Sequence, residues 1–341
     1  MHNFLFCFEH NIAVNCDAML ARRIARYFEE SLSDKNNETN KTCVVCFEKT
    51  GQLAVVKRDR KYRYSEIKMT SLGTATKLDF YRYGKLIRTV LRRSKLRFEI
   101  QSYLEFDEEA ILICFRQYLH EIGFFSTFPL IHASLVMVEG KGLLLCGPSG
   151  SGKTALIVRL ISEFGATFVN DDYVCIDLNV GQLVGYYVPR RVTPRFCSVL
   201  NTGLSAALDD LRLSGAEQYL DDEAIQEMKD NSNFNNQFGL CYSRYAFSEL
   251  LGCNAKFSCT INYIIHIDPF CLGEDLEEVN SVESLRMLSN AQFSKRRFGS
   301  RYEFEKTGTD FSRISRLPHS IKSFKVGKDW DDRLEQLVES I

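Results

Sequence analysis

The residues equipped for chemistry are gathered between His132 and Asp172. GPSGSGKT (147–154) fits the pattern G-x-x-x-x-G-K-[ST]. Glycines in such a loop let backbone N–H groups approach an anion closely, a lysine reaches the outer phosphates of a nucleotide, and the terminal hydroxyl can hold Mg²⁺. Gly147, Ser149, Gly150, Ser151, Gly152, Lys153 and Thr154 are therefore the candidate phosphate contacts, with Thr154 also a candidate metal ligand.

Seventeen residues beyond Thr154, Asp171 and Asp172 close an apolar segment. At the end of a strand both carboxylates can face one site, one holding a metal and the other accepting a proton from an attacking hydroxyl. The residues themselves leave open which aspartate takes which role. Asp268, after YIIHI, is a second metal-binding candidate, and His132 is placed to hydrogen-bond a carboxylate. Phosphoryl transfer also needs cations for the charge that builds on the equatorial oxygens. Two clusters offer them: Arg190, Arg191 and Arg195, and Lys295, Arg296, Arg297 and Arg301.

The elements around these residues suit the chemistry. LVMVEGKGLLLCG (135–147) reads as strand, tight turn and strand running into the glycine loop. TALIVRLISEFG (154–165) reads as a helix ended by Gly165, and ATFVNDDYVCIDL (166–178) as a strand. INYIIHIDP (261–269) predicts a buried strand and KDWDDRLEQLVESI (328–341) a closing helix.

The N-terminal part has its own pattern. NFLFCFE (3–9) predicts a short strand and AMLARRIARYFEESL (18–32) a helix. SDKNNETNKT (33–42) reads as an exposed loop, and CVVCFEK, QLAVVKR and KYRYSEIKM as a meander. KLIRTVLRRSKLR (85–97) reads as a basic amphipathic helix, DEEAILICFRQYLHEIG (107–123) as a helix with an acidic first turn, and the acidic stretch at 220–237 as an insertion. The expected division is an N-terminal α+β domain over 1–128 and a second domain over 129–341.

Composition removes several classes. Lys plus Arg (43) against Asp plus Glu (44) gives a formal charge of −1, which argues against a general nucleic-acid or membrane-surface binder. MHNFLFCFEHN lacks the basic head and long apolar core of a secretory signal, and no run of about 18 apolar residues occurs. The expectation is a cytoplasmic protein. Its twelve cysteines sit mostly in apolar segments, as reduced core thiols do; Cys43 and Cys46 have C-x-x-C spacing but no second pair to complete a zinc site.

The ordered set within 131–177, a histidine, a turn-linked strand ending in the glycine loop, and Asp-Asp followed by Tyr-Val, resembles the kinase core of the HPr kinase/phosphorylase family. The resemblance implies an α/β fold: a P-loop kinase domain of HPr kinase/phosphoenolpyruvate carboxykinase-like type behind a smaller α+β N-terminal domain. It implies ATP and Mg²⁺ as cofactors, Asp171 as base, Asp172 as metal ligand, His132 beside the base, a protein serine as acceptor, and a homo-oligomer. Thr154-Ala155 stands where HPr kinases proper have Ser-Glu, and 188–203 lacks their downstream glycine-rich signature. These departures turn the expectation from HPr towards a peptide or small-protein substrate, such as the ribosomally made precursor of a lasso-type peptide. A small-molecule alcohol kinase on the same core, and a nucleotide-binding switch without transfer, are the competing readings.

Overall fold

The computed structural model describes residues 2–5, 10–25, 27–28, 42–49, 66–82, 85–103, 108–148, 150–177, 181–190, 192, 244–268, 276–290, 317–327 and 334–341. Those up to Phe124 form one compact unit and those from Phe125 onward a second, each built on its own sheet. The protein is of mixed α/β class.

In the first unit the strands are β1 (His2–Leu5), β2 (Asn11–Asn15), β3 (Thr42–Lys49), β4 (Glu66–Leu72), β5 (Ala75–Arg82), β6 (Lys85–Arg92) and β7 (Arg97–Ser102), in the spatial order β1-β2-β3-β7-β6-β5-β4. Strands β2, β3 and β7 are parallel, and β7 to β4 form an antiparallel meander. Helix α1 (Ala18–Ala25) starts where Asp17 Oδ1 accepts the Leu20 N–H at 2.9 Å, an N-cap that satisfies one of the unpaired first-turn donors. Helix α2 (Glu108–Glu121) carries Glu108 and Glu109 in its first turn, where the helix dipole favours them. Its Phe115 meets Phe28 edge-on at 5.3 Å between ring centroids.

Residues 85–92 are a strand, not the helix their spacing predicts. The pattern of Leu86, Ile87, Val90 and Leu91 follows the helical period, but Ile87, Thr89 and Val90 are β-branched and β6 is paired along both edges, to β5 and β7. Tertiary pairing overrides the local pattern. Cys43 and Cys46 both lie on β3, where an i, i+3 spacing sends side chains to opposite faces and so defeats a shared metal. The eight described cysteines are all free thiols. Residues 33–41, QLAVVKR (52–58) and 220–237 fall outside the described residues.

A helical turn, α3 (Phe124–Thr127), precedes the second sheet. Its strands are β8 (Leu130–Ile131), β9 (Ala133–Val138), β10 (Lys141–Cys146), β11 (Thr167–Asn170), β12 (Val174–Asp177), β13 (Val184–Tyr187), β14 (Ser258–Ile267), β15 (Glu277–Glu278) and β16 (Lys322–Val326). The path is β11-β9-β10-β14-β13-β12-β8, with β16 on β14 and β15 on β16. Strands β10, β14 and β16 are mutually parallel, so their carboxyl ends open on the same side. Helices α4 (Lys153–Phe164), α5 (Arg244–Leu250), α6 (Ser281–Asn290) and α7 (Leu334–Ser340) complete the unit.

Both faces of this sheet are covered, which is why its central strands are apolar without alternation. Leu143 and Leu145 of β10 join Leu156, Leu160, Phe247 and Leu337 in one core, while Leu144 and Cys146 join Val169, Ile264, Leu285 and Leu288 in the other. Strands β9 and β10 are linked by Glu139 (φ 49°) and Gly140 (φ 83°), the two left-handed positions of a tight hairpin turn.

Candidate active site

Strand β10 delivers the chain into the glycine loop between buried partners. A Cβ on Gly147 would lie 2.6 Å from Ile267 O and 2.6 Å from Ser151 Oγ, so only glycine lets the chain pass. Gly150 (φ 86°) and Gly152 (φ 97°) take left-handed conformations that other residues adopt at a cost, and Gly152 caps α4. At the far end Gly165 (φ 63°) closes the helix, returning its N–H to Ile161 O. The sequence expectation of strand, loop and capped helix describes this stretch; Ser149 lies outside the described residues.

Lys153 is buried, and its Nζ donates to Gly147 O at 2.8 Å and Pro148 O at 3.1 Å. Ser151 Oγ is buried with no hydrogen-bond partner among the described residues. An orphaned hydroxyl beside a turn that excludes a Cβ, at the amino end of a helix, fits a phosphate chain, whose oxygens would satisfy it.

The aspartate pair closes β11 as expected, but 166–178 is not the single strand it reads as. Strand β11 pairs with β9, whereas β12 pairs with β13 and β8, and the chain changes partners at Asp171-Asp172. Asp172 has φ 71°, a left-handed conformation that aspartate tolerates better than most residues. Asn170 Nδ2 donates to Tyr173 O, and the Tyr173 N–H returns to Asp171 O at 2.9 Å, so the turn is tied on both sides.

This turn aims the two carboxylates at different partners. Asp171 is 3% exposed; its Oδ2 accepts from Thr154 Oγ1 at 2.9 Å and its Oδ1 from Ser134 Oγ at 2.5 Å. Burial, then the charge of Asp172, holds its pKa above the ordinary carboxylate range; the two hydroxyls and Lys153 oppose that without reversing it. The Asp172 side chain keeps 38% of its surface, and its two oxygens meet His132 Nε2 at 3.1 Å and Arg190 Nη1 at 3.1 Å. Partial burial works to raise the Asp172 pKa, but Arg190 first, then His132 and Lys153, outweigh it and hold the group well below the usual range. One carboxyl is biased towards its neutral form and the other is held ionised.

His132 sits in the bend between β8 and β9 and not within a strand. Asp268 follows β14 and is ion-paired with Lys325 at 3.3 Å. Of the arginine candidates, Arg190 joins the site; Arg191, Arg195, Lys295, Arg296, Arg297 and Arg301 fall outside the described residues. Ser134 is the member that sequence reasoning missed. Its signal was there: it is a lone hydroxyl in the otherwise apolar run of β9, two residues after His132. Tyr173 was missed as well; its ring carries the Arg190 guanidinium at 3.9 Å.

A Mg²⁺ ion would find hard oxygen donors in Thr154 Oγ1 and Asp171 Oδ2, already 2.9 Å apart at the end of the loop. A cation there would also relieve the cost of keeping the Asp171 carboxylate ionised.

No protein-family model matches the chain, and no curated protein matches it. Among solved structures it is similar to the Hpr(Ser) kinase/phosphatase from Coxiella burnetii, at 13% identity and a TM-score of 0.32, over 62% of this chain and 94% of that one. At that score the likeness carries no weight for function, and what the site can do is set by its own geometry. Among the described residues, no helix is long and apolar enough to cross a membrane.

Proposed function

We propose that the second unit is an ATP- and Mg²⁺-dependent phosphotransferase that moves the γ-phosphoryl group to an alcohol, the serine hydroxyl of a peptide or small protein. The observation that carries this reading is the junction of loop and aspartate turn: Thr154 is bonded to Asp171, and the adjacent Asp172 stands outward on His132 and Arg190. A phosphate-binding loop alone would suit a switch. A loop joined to a second, ionised and accessible carboxylate suits transfer to a hydroxyl.

In this reading the loop N–H groups and Lys153 hold the phosphates. Bound Mg²⁺ would neutralise charge on the β- and γ-phosphates as the bond breaks. Thr154 and Asp171 are its ligands, and Asp172 is the proton acceptor, positioned by His132. This exchanges the roles that the family resemblance implies for the two aspartates, because Thr154 bonds Asp171 and His132 bonds Asp172. Asp172 need not be strongly basic: in a loose transition state the acceptor hydroxyl becomes acidic only as its oxygen bonds to phosphorus.

The peptide acceptor rests on the sequence resemblance, and the test addresses it directly. γ-Labelled ATP in Mg²⁺ is offered with serine-containing peptides, with HPr and with small alcohols, using Lys153→Ala and Asp172→Asn as controls. Label on a peptide serine that disappears in both variants supports the reading. Label on a small alcohol alone moves the acceptor class to small molecules. Tight ATP binding with no transfer to any acceptor refutes the phosphotransferase and leaves a nucleotide switch.

A further inference from the structure

Arg190 is held more tightly than a surface cation needs to be. Its backbone N–H and C=O both meet Tyr187 Oη, at 3.3 and 3.4 Å. Tyr187 is itself fully buried, with the Arg244 guanidinium 4.5 Å over its ring and Phe257 edge-on at 6.0 Å. The Arg190 guanidinium lies over the Tyr173 ring at 3.9 Å from its centroid and reaches Asp172 Oδ2 through Nη1 at 3.1 Å. Its side chain is still 23% exposed, and that of the aspartate it meets 38%. An arginine anchored at backbone, ring face and carboxylate has little rotamer freedom left to lose, which is what a preorganised electrostatic group requires.

The location matters as much as the anchoring. A hydroxyl giving its proton to Asp172 must lie about 2.6–3.2 Å from that carboxylate. The phosphorus it attacks lies about 3–3.5 Å further on. The equatorial oxygens then fall within the span of a guanidinium already in contact with the same carboxylate. A guanidinium is planar, with five N–H donors in a fixed fork, so one that holds Asp172 through Nη1 can meet a phosphoryl oxygen in the same plane.

We infer that Arg190 is a catalytic residue of the transfer, contacting the phosphoryl group in flight while it orients Asp172. The inference rests on the phosphotransferase reading above. In the step itself the acceptor oxygen forms a new bond to the γ-phosphorus and the bridging β,γ P–O bond breaks. The electron pair of that bond leaves on ADP, and the hydroxyl proton passes to Asp172. In the transition state the charge is spread over the three equatorial oxygens of a planar phosphoryl group and moves onto the leaving bridging oxygen, and Arg190 meets that planar group more strongly than the bound substrate.

The test is affinity for Mg-ADP against Mg-ADP with aluminium fluoride, a planar mimic of the phosphoryl group in transfer, measured by calorimetry. Wild type should bind the fluoride complex more tightly than Mg-ADP. Arg190→Gln should lose tenfold or more of that added affinity while its Mg-ADP affinity stays within twofold, which also shows that the variant is folded. Arg190→Lys should fall between, since it keeps the charge without the planar fork. In the labelled-ATP assay, kcat should fall at least a hundredfold in Arg190→Gln with KM for ATP within twofold. Millimolar guanidinium should restore part of the rate of Arg190→Gly, as loss of a merely structural contact would not allow. Equal loss of both affinities, or no loss, overturns the role of Arg190 and leaves the phosphotransferase intact. A wild-type chain that binds no Mg-ADP overturns the phosphotransferase reading and this role with it.

Discussion

Asp171→Asn is expected to make the protein more stable and inactive at once. The Asp171 carboxyl is 3% exposed and its pKa is raised, first by burial and then by Asp172, so above the ordinary carboxylate range the fold bears a cost, as an ionised group in a site that favours the neutral form or as the uptake of a proton. The carboxamide is the same size, and both neighbouring hydroxyls can rotate: Thr154 Oγ1 or Ser134 Oγ can donate to the amide oxygen while the other accepts from the amide nitrogen. Hydrogen bonding therefore changes little. The repulsion from Asp172 and the desolvation of a charge are removed, and the weaker attraction to Lys153 is lost. Replacing a poorly compensated buried charge in this way gains about 1–2 kcal/mol. For a unit of this size that is a rise in Tm of roughly 2–8 °C.

The pH dependence carries the sign. A carboxyl whose folded pKa is raised binds its proton more tightly when folded, so its contribution to stability is complete below the ordinary carboxylate range and is lost as pH rises through the folded pKa. The advantage of the variant should open with rising pH and close in acid. The assay is thermal unfolding of both chains between pH 4 and 8 in a chelator, without nucleotide, followed by the same scans with Mg-ATP. Mg-ATP should raise the Tm of wild type far more than that of the variant, and phosphoryl transfer should fall by about a hundred- to a thousandfold, the range seen when a main electrostatic contributor is removed. An Asp171→Asn chain that melts below wild type at pH 8 in chelator, with a difference independent of pH, would refute the account of a strained, neutral-favouring Asp171.

Three further outcomes follow from contacts of β10, the glycine loop and the start of α4. Gly147→Ala places a Cβ 2.6 Å from Ile267 O and Ser151 Oγ, so the loop must shift; calorimetry should show ATP affinity down tenfold or more while the far-ultraviolet circular dichroism is unchanged. Thr154→Val removes a hydroxyl that supports the buried Asp171 carboxylate, and urea unfolding in chelator should show a loss of about 1–3 kcal/mol, with the Mg²⁺ concentration for half-maximal transfer raised at least tenfold. Gly142→Ala brings a Cβ to 2.2 Å from Thr260 O between two paired strands, and the urea midpoint should fall by the equivalent of about 1–3 kcal/mol at unchanged m, without a specific effect on KM for ATP.

Features with local causes were legible in the amino-acid sequence by itself. The turn at Glu139-Gly140, the glycine loop, the start of α4 at Gly152 and its end at Gly165 all follow from which residues tolerate positive φ within a few positions of chain. The apolar run before the glycine loop reads as a strand, and β10 is that strand, buried on both faces. Tertiary structure decided what local patterns leave degenerate. Residues 85–92 carry a helical spacing of apolar positions, and only hydrogen-bonding neighbours on both sides select the strand. The run 166–178 reads as one strand until β11 and β12 take different partners, and that exchange turns Asp171 inward and Asp172 outward. The same holds for the site's pairings. Ser134 meets Asp171 across 37 residues and His132 meets Asp172 across 40, because the sheet order sets β9 beside β11 and β8 beside β12. Spacing along the chain specifies which residue types are present; the division of labour between two adjacent carboxylates is set by the groups that the fold brings to each from far away in sequence.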